Sequence, residues 1–291
     1  MTGFPEKAAQ SIVDGALEED LGGFPGVDVT STATIPAGQR CTAHVVARAD
    51  GVLAGAPLVS LVFRAVSERL GLPEVDVELV HEDGDMLRRG EVIAVLRGST
   101  RAILVGERTL LNLLSRLSGV ATHTRLWAME LEGTGATVLD TRKTTPLLRA
   151  LEKYAVRCGG GTNKRMGLYD VAMIKDNHKL AAGSLTAAIA AVRTAYPEVP
   201  IQVEATTLEE ALEAVQAGAR FLLLDNMTLE LLQATVETVR ATGEKVEIEA
   251  TGGLTLDVAR AYAQTGVDYL SVGALTHSSP IVDIALDLVE G

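Results

Sequence analysis

Positive charge is in short supply in this sequence. Against 38 Asp and Glu there are only 26 Lys and Arg, a formal net charge of −12. Binding to a nucleic-acid backbone or an anionic membrane draws on an excess of basic surface, so neither partner is expected. Cysteine is scarcer still: the only two, Cys41 and Cys158, are far apart, with no CxxC and no nearby histidine cluster. Neither a disulfide framework nor a zinc site is indicated. No apolar run reaches the roughly 18 residues that a bilayer-spanning helix needs. The opening MTGFPEKAAQ lacks the charged-then-apolar layout of a secretory signal. Neither GxGxxG nor a P-loop occurs. A soluble, cytoplasmic protein is the expectation.

What the chain does have is 291 residues with 47% hydrophobic content, enough to bury roughly three-quarters of its unfolded surface in one or two domains. Residues 6–19 carry apolar side chains at helical spacing, and a turn-rich passage covers 22–39. Next come β-patterned stretches, TAHVVARADGVLAG and VDVELVHEDGDMLRRGEVIAVLRG, separated by a helix near 57–70. The turns EDGD and RRGE between alternating apolar positions predict antiparallel hairpins. A long helical region, 101–131, leads into a different pattern, in which apolar strands alternate with amphipathic helices. The strands are ATVLDT, VAMIKDN, IQVEAT, FLLLDN, VEIEATGG and YLSVGA. The helices fall near 146–156, 184–195, 208–217, 228–240 and 255–263, with a last helical stretch at 281–289.

Such alternation implies a parallel sheet covered on its outer face, either a barrel or an open doubly wound sheet. Five successive strands end in a polar or charged residue: Arg142, Lys175, Glu204, Asp225 and Glu249. Functional groups on many strand ends favour the barrel, whereas an open sheet concentrates them at one switch point. The expected fold is α/β: an N-terminal α+β sandwich domain over 1–117, then an open, incomplete α/β barrel over 118–277. A C-terminal helix, 278–291, would pack back on the first domain.

The few cations are concentrated. Between Asp140 and Lys179 nine Lys and Arg face four Asp and Glu, which suggests a site for an anionic small molecule. Arg149, Lys153 and Arg157, at i, i+4 and i+8, read as an ordinary solvated helix face. Arg142-Lys143, Lys164-Arg165 and Lys175 are harder to explain by solvation, because the first pair and the last residue follow apolar strands. Glu204 and Asp225 end strands on the same side. As a pair they are either ion-pair partners of the lysines or oxygen ligands for Mg²⁺ shared with a substrate phosphate. Thr251-Gly252-Gly253, before a helix, and Gly273, after the last strand, suit a phosphate at a helix N-terminus; a plain tight turn accounts for the glycine pair equally well. Gly159-Gly160-Gly161 reads as a flexible loop.

The motifs GERTLLNLLSRLSGVAT, LDTRKTTPLLRALEKYAVRCGGGTNKR, MIKDNH, LLLDNM, EATGG and VGALTHSSP run in one order over nearly the whole chain. In them the sequence resembles the quinolinate phosphoribosyltransferases, type II phosphoribosyltransferases of NAD biosynthesis. The resemblance implies transfer of a phosphoribosyl group from phosphoribosyl pyrophosphate to quinolinate with decarboxylation. The products would be nicotinate mononucleotide, pyrophosphate and CO₂, with Mg²⁺ required. It also implies a homodimer with shared active sites, and leaves a larger assembly open. Carried over by position, Arg108 would reach the partner subunit's quinolinate, and Arg142, Lys164, Arg165 and Lys175 would surround its carboxylates. Lys143 would face phosphoribosyl pyrophosphate, while Glu204 and Asp225 would hold ribose hydroxyls and the metal. Thr251, Gly252, Gly273 and His277 would take phosphate. Lys143, Lys175, Glu204 and Asp225 are the expected catalytic set. Two departures stand out: Asn163-Lys164-Arg165 where the family has Asn-His-Arg, and Thr251 where it has Ser. Lysine keeps a cation at 164 but not a group titrating near neutrality.

Three competing readings remain. Another phosphoribosyltransferase of the same architecture, acting on nicotinate or an unrelated base, would need fewer cations than Arg108, Arg142, Arg165 and Lys175 supply. A Schiff-base aldolase using Lys175 needs a neutral amine, against the charge of the adjoining Asp176. A non-catalytic phosphate sensor would have no use for both Glu204 and Asp225.

Overall fold

The computed structural model describes residues 3–289. The chain begins with α1 (Glu6–Leu21), which buries Ala9, Val13 and Leu17 along one face. The passage expected as turns contains a helix, α2 (Val29–Thr34), whose first N–H groups are capped by Asp28 Oδ1 at 2.9 and 3.0 Å. It is followed by β1 (Arg40–Ala47), β2 (Gly51–Val52), α3 (Pro57–Leu70), β3 (Asp76–Leu79), β4 (Met86–Leu87) and β5 (Val92–Ser99). Neither EDGD nor RRGE closes the hairpin expected of it: β3 pairs antiparallel with β5, and the β4 between those turns pairs with β2 in a separate ribbon. The long α4 (Thr100–Glu130) runs unbroken through the expected boundary at 117/118.

The remainder alternates: β6 (Thr137–Leu139), α5 (Arg149–Cys158), β7 (Ala172–Ile174), α6 (Asp176–Ala182), α7 (Leu185–Ala195), β8 (Ile201–Ala205), α8 (Leu208–Gln216), β9 (Phe221–Asp225), α9 (Leu229–Ala241), β10 (Glu247–Thr251), α10 (Leu256–Ala263), β11 (Tyr269–Ser271) and α11 (Ala274–His277). The last described element is β12 (Ile284–Val289), a strand where a helix was expected over 281–289 and over 278–291, of which residues 290 and 291 lie outside the described residues. The physical reason is non-local. β1 has one edge taken by β5, and β12 pairs antiparallel along the other from Thr42 to Ala47. Backbone groups at that edge need partners.

The chain divides into two compact units. The first comprises the residues up to Arg125, Thr144–Gly160 and the residues from Thr276 on; the second comprises Leu126–Lys143 and Gly161–Leu275. The first unit is built on an antiparallel sheet of order β12-β1-β5-β3. Its core includes Val45, Phe63, Ile93, Leu96, Leu110 and Leu114. Also within it, α5 contradicts the expectation of a solvated basic face: Lys153 is fully buried, Arg149 Nε donates to Thr144 Oγ1 at 3.0 Å, and the Arg157 guanidinium lies over the Tyr154 ring. α5 is covered beyond its apolar stripe of Leu151, Ala155 and Val156, so helical spacing misjudged its far side.

The second unit is a six-stranded parallel sheet of order β6-β11-β10-β9-β8-β7. Strands in near-sequential order with helices between them have the winding of a barrel, but β6 and β7 are not joined. The segment after Gly160 takes up part of that opening: Thr162 bridges Leu139 in parallel fashion, its N–H donating to Val138 O at 2.9 Å. No helix among the described residues is long and apolar enough to cross a membrane.

Candidate active site

Every second residue of a strand faces the same side. Glu204 pairs in register with Leu223, Leu223 with Glu249, and Asp225 with Thr251. Glu204, Asp225, Glu249 and Thr251 therefore share one face of the sheet, inside the open barrel. Glu249 was expected at a strand end. It lies instead in the middle of β10 and is wholly buried.

The cations approach this face from the two sheet edges. Lys175 directly follows β7, and its Nζ lies 3.0 Å from Glu204 Oε2. Its carboxylate partner is thus Glu204, while Asp176 pairs with Lys179 at 2.8 Å. On the other side Asp140, buried at the end of β6, accepts hydrogen bonds from Asn163 Nδ2 at 2.6 Å and Lys164 N at 2.9 Å. These bonds fix the segment that carries Lys164 and Arg165. Lys164 Nζ meets Glu249 Oε1 at 2.5 Å, with the lysine side chain 8% exposed. Burial presses both groups toward their neutral forms, Lys164 down and Glu249 up, and their mutual attraction opposes it. Arg165 Nη1 donates to Val171 O at 3.0 Å. Partial burial, and after it the charge of Arg142, draws Arg165 below the usual guanidinium value, so the two arginines are close neighbours. Lys164 likewise feels the charges of Lys175 and Arg165. Arg142, Lys164, Arg165 and Lys175 thus act on one another here, with Lys164 paired to Glu249, Lys175 paired to Glu204, and the carboxylates of Asp140 and Asp170 close by.

Lys164 and Arg165 also line a cavity of about 330 Å³ with Gln202, Phe221, Glu247 and Tyr269, which lie near the N-terminal starts of β8 to β11. At the opposite end of the strands, the loops after β9 and β10 interlock. Asn226 holds a left-handed conformation (φ 54°), and its N–H donates to Thr251 O at 2.9 Å. Gly252 has φ 101°, and a Cβ there would meet Asn226 Oδ1 at 2.3 Å, so no other residue fits without displacing that asparagine. Thr251 and Gly273 are half-buried. Lys143 is exposed, with its N–H on Thr141 Oγ1 at 3.0 Å. Two expected site residues belong to the first unit. Arg108 lies on α4 with its side chain 64% exposed and Glu107 Oε1 3.7 Å away. His277 is exposed at the end of α11, its Nδ1 2.6 Å from Ser278 Oγ.

Sequence reasoning missed the structural partners. Asp140 and Glu249 bind the segment that bears Lys164, yet Asp140 was not singled out and Glu249 was noted only as a strand end. For Glu249 the signal was legible: Glu247, Glu249 and Thr251 alternate with Ile248 and Ala250, which turns Glu249 into the barrel rather than toward its rim.

The model of the quinolinate phosphoribosyl transferase C-terminal domain matches residues 120–287, and that of the N-terminal domain matches 28–118. The chain belongs to this family. Among its relatives is a nicotinate-nucleotide pyrophosphorylase (carboxylating) of Mycobacterium leprae, 45% identical over 281 residues and covering 97% of each chain. A probable enzyme of the same name from Bacillus subtilis is 45% identical over 251 residues, 86% of this chain and 84% of that one. The solved nicotinate-nucleotide pyrophosphorylase of Francisella tularensis superposes with a TM-score of 0.88 at 32% identity, covering 99% of this chain and 98% of the other. The family member described here is accordingly a phosphoribosyltransferase of de novo NAD biosynthesis.

Proposed function

We propose that the cation cluster of the second unit is the quinolinate pocket of a carboxylating nicotinate-nucleotide pyrophosphorylase. The observation that carries this reading is the gathering of Lys164, Arg165 and Lys175 at one face of the sheet, with the charge of Arg142 felt at Arg165. Quinolinate is a dianion, and an arginine fork suits a carboxylate in bidentate fashion. Lys143, exposed beside this cluster, faces phosphoribosyl pyrophosphate. Glu204 and Asp225 take the ribose hydroxyls, and Thr251, Gly252 and Gly273 take phosphate.

Chemistry then follows from positioning. The ring nitrogen of quinolinate attacks the ribose C1 as the bond to pyrophosphate breaks, through an oxocarbenium-like state. The ring nitrogen, now cationic, stabilises the electron pair that stays on C2 when CO₂ departs, and that pair then takes a proton. Holding the two reactants in line supplies much of the acceleration, and fixed positive charge beside the leaving group adds to it.

Glu204 and Asp225 offer hard oxygen donors on one face of the sheet, and no group of three or more His, Cys, Asp or Glu forms a metal cage among the described residues. Such a set fits Mg²⁺ that is held largely by substrate phosphates and water. When bound, the ion would neutralise charge on the departing pyrophosphate. The proposal includes a cytoplasmic homodimer in which Arg108, exposed on α4, contacts quinolinate bound to the other subunit.

The test is conversion of quinolinate labelled in its 2-carboxyl group, with and without Mg²⁺ and with nicotinate as competing substrate. Labelled CO₂ in step with nicotinate mononucleotide is expected, only with Mg²⁺ present. Product formed from nicotinate but not from quinolinate would overturn the reading.

A further inference from the structure

Glu249 is an expensive residue to bury. It sits at the centre of β10, fully shielded, between Leu223 of β9 and Tyr269 of β11 in register. One oxygen, Oε1, takes Lys164 Nζ at 2.5 Å, while Oε2 has no hydrogen-bond partner. Ser271 Oγ, on the next strand, has no hydrogen-bond partner either, yet it lies close enough to favour the charged carboxylate. Apolar packing in such a place is commonly no less stable than an ion pair, so a half-satisfied carboxylate in a barrel core calls for a reason other than stability.

The surroundings of Lys164 supply one. Its backbone is anchored by Asp140 at 2.9 Å, but its ammonium lies within the field of Lys175 and Arg165, both repulsive. Lys175 is drawn the other way, toward Glu204 at 3.0 Å. Glu249 is therefore a group that holds the ammonium of Lys164 inside a crowd of like charges, and burial alone would favour the loss of its proton.

We propose that Glu249 is a positioning residue: its buried carboxylate fixes the Lys164 ammonium in place, so that the lysine meets quinolinate as a localised cation. The inference rests on the reading of the cluster as the quinolinate pocket. It assigns Glu249 no contact with substrate and no role toward phosphoribosyl pyrophosphate.

A double-mutant cycle separates this from a structural role. Four proteins are compared: the parent, Glu249→Gln, Lys164→Met and the double variant. The double variant buries no unpaired charge, which protects the fold, and thermal melts report the folded fraction of each. Glu249→Gln should raise the quinolinate KM roughly tenfold or more, the scale of a lost charge-assisted hydrogen bond. The KM for phosphoribosyl pyrophosphate should stay unchanged. In the Lys164→Met background the same substitution should change the quinolinate KM less than about twofold, because its route is already gone. Glu249→Asp should fall between parent and Gln. A quinolinate KM unchanged by Glu249→Gln, or an equal rise in both backgrounds, overturns the proposal. A parent protein that releases no CO₂ from quinolinate at all would instead sink the functional reading beneath it.

Discussion

Each unit of the molecule buries one glutamate against a cation, and the two sites are built differently. In the first unit Glu152, fully buried on α5, takes Arg116 Nε at 3.1 Å and Nη2 at 2.8 Å on one oxygen. Thr145 completes it, with Oγ1 on Oε1 at 2.7 Å and N–H on Oε2 at 2.9 Å. Arg116 in turn donates to the carbonyls of Ser279 and Thr276, which ties down the chain ahead of β12. In the second unit Glu249 has one partner and an idle oxygen. A saturated buried pair stabilises a fold, whereas an unsaturated one set among surplus cations is the mark of a site that holds charge ready for a ligand.

The contrast breaks most readily at Glu152. Glu152→Ala leaves Arg116 without its carboxylate and should cost about 3–5 kcal/mol of stability. Denaturant titration will show it, with activity per folded molecule less affected. If that variant is as stable as the parent, the first unit's pair is not what separates the two sites.

Next in size is Asp225→Asn, which probes the claim that carboxylates in the second unit serve chemistry. Among the described residues its side chain accepts a hydrogen bond from the adjoining Asn226 Nδ2 at 2.7 Å, so the melting temperature should barely move. Turnover at saturating substrates and ordinary Mg²⁺ should drop on the order of a hundredfold. Parent-like turnover removes Asp225 from the site.

The legibility of the sequence divides along the same line as the two glutamates. All six parallel strands could be read, because each is a short apolar run between amphipathic helices, and the strand-end residues Lys175, Glu204 and Asp225 marked the barrel face. The terminal strand could not. Ile284–Val289 contains Ala and Leu, which suit a helix locally, and only the open edge of β1, some 240 residues earlier, makes it a strand. Lys153 and Arg157 were misread for a related reason, since helical spacing reports one buried face and cannot see a second covering layer. α2 carried its own signal in Asp28, three residues ahead of Ser31, which was overlooked among glycines and prolines. The ring of cations was legible as composition. Its internal pairing, Lys164 with Glu249 and Lys175 with Glu204, depends on register across neighbouring strands and was not.

A smaller effect is expected from Gly252→Ala, which sharpens the second unit's side of the contrast. The added methyl meets Asn226 Oδ1 and N at 2.3 and 2.8 Å in a left-handed backbone. It should cost about 1–3 kcal/mol and raise the KM for phosphoribosyl pyrophosphate more than that for quinolinate. Equal KM changes for both substrates would place the loop outside phosphate binding. The smallest effect is a control on the first unit's surface: Arg97→Ala removes an exposed pair with Glu78 at 2.8 Å and should change stability by no more than about 0.5 kcal/mol. A larger loss there would mean that burial does not govern which pairs matter.

The central claim is that the cation cluster receives quinolinate, and equilibrium binding reads it without catalysis. Calorimetry of quinolinate and of nicotinate, each against the parent and Arg165→Met, is the direct measurement. Quinolinate should bind the parent well above nicotinate, and the variant roughly tenfold or more weakly, the scale of one lost bidentate contact. Phosphoribosyl pyrophosphate should bind both proteins alike. Equal quinolinate affinity in the two proteins, or nicotinate binding the parent as tightly as quinolinate, would contradict the account.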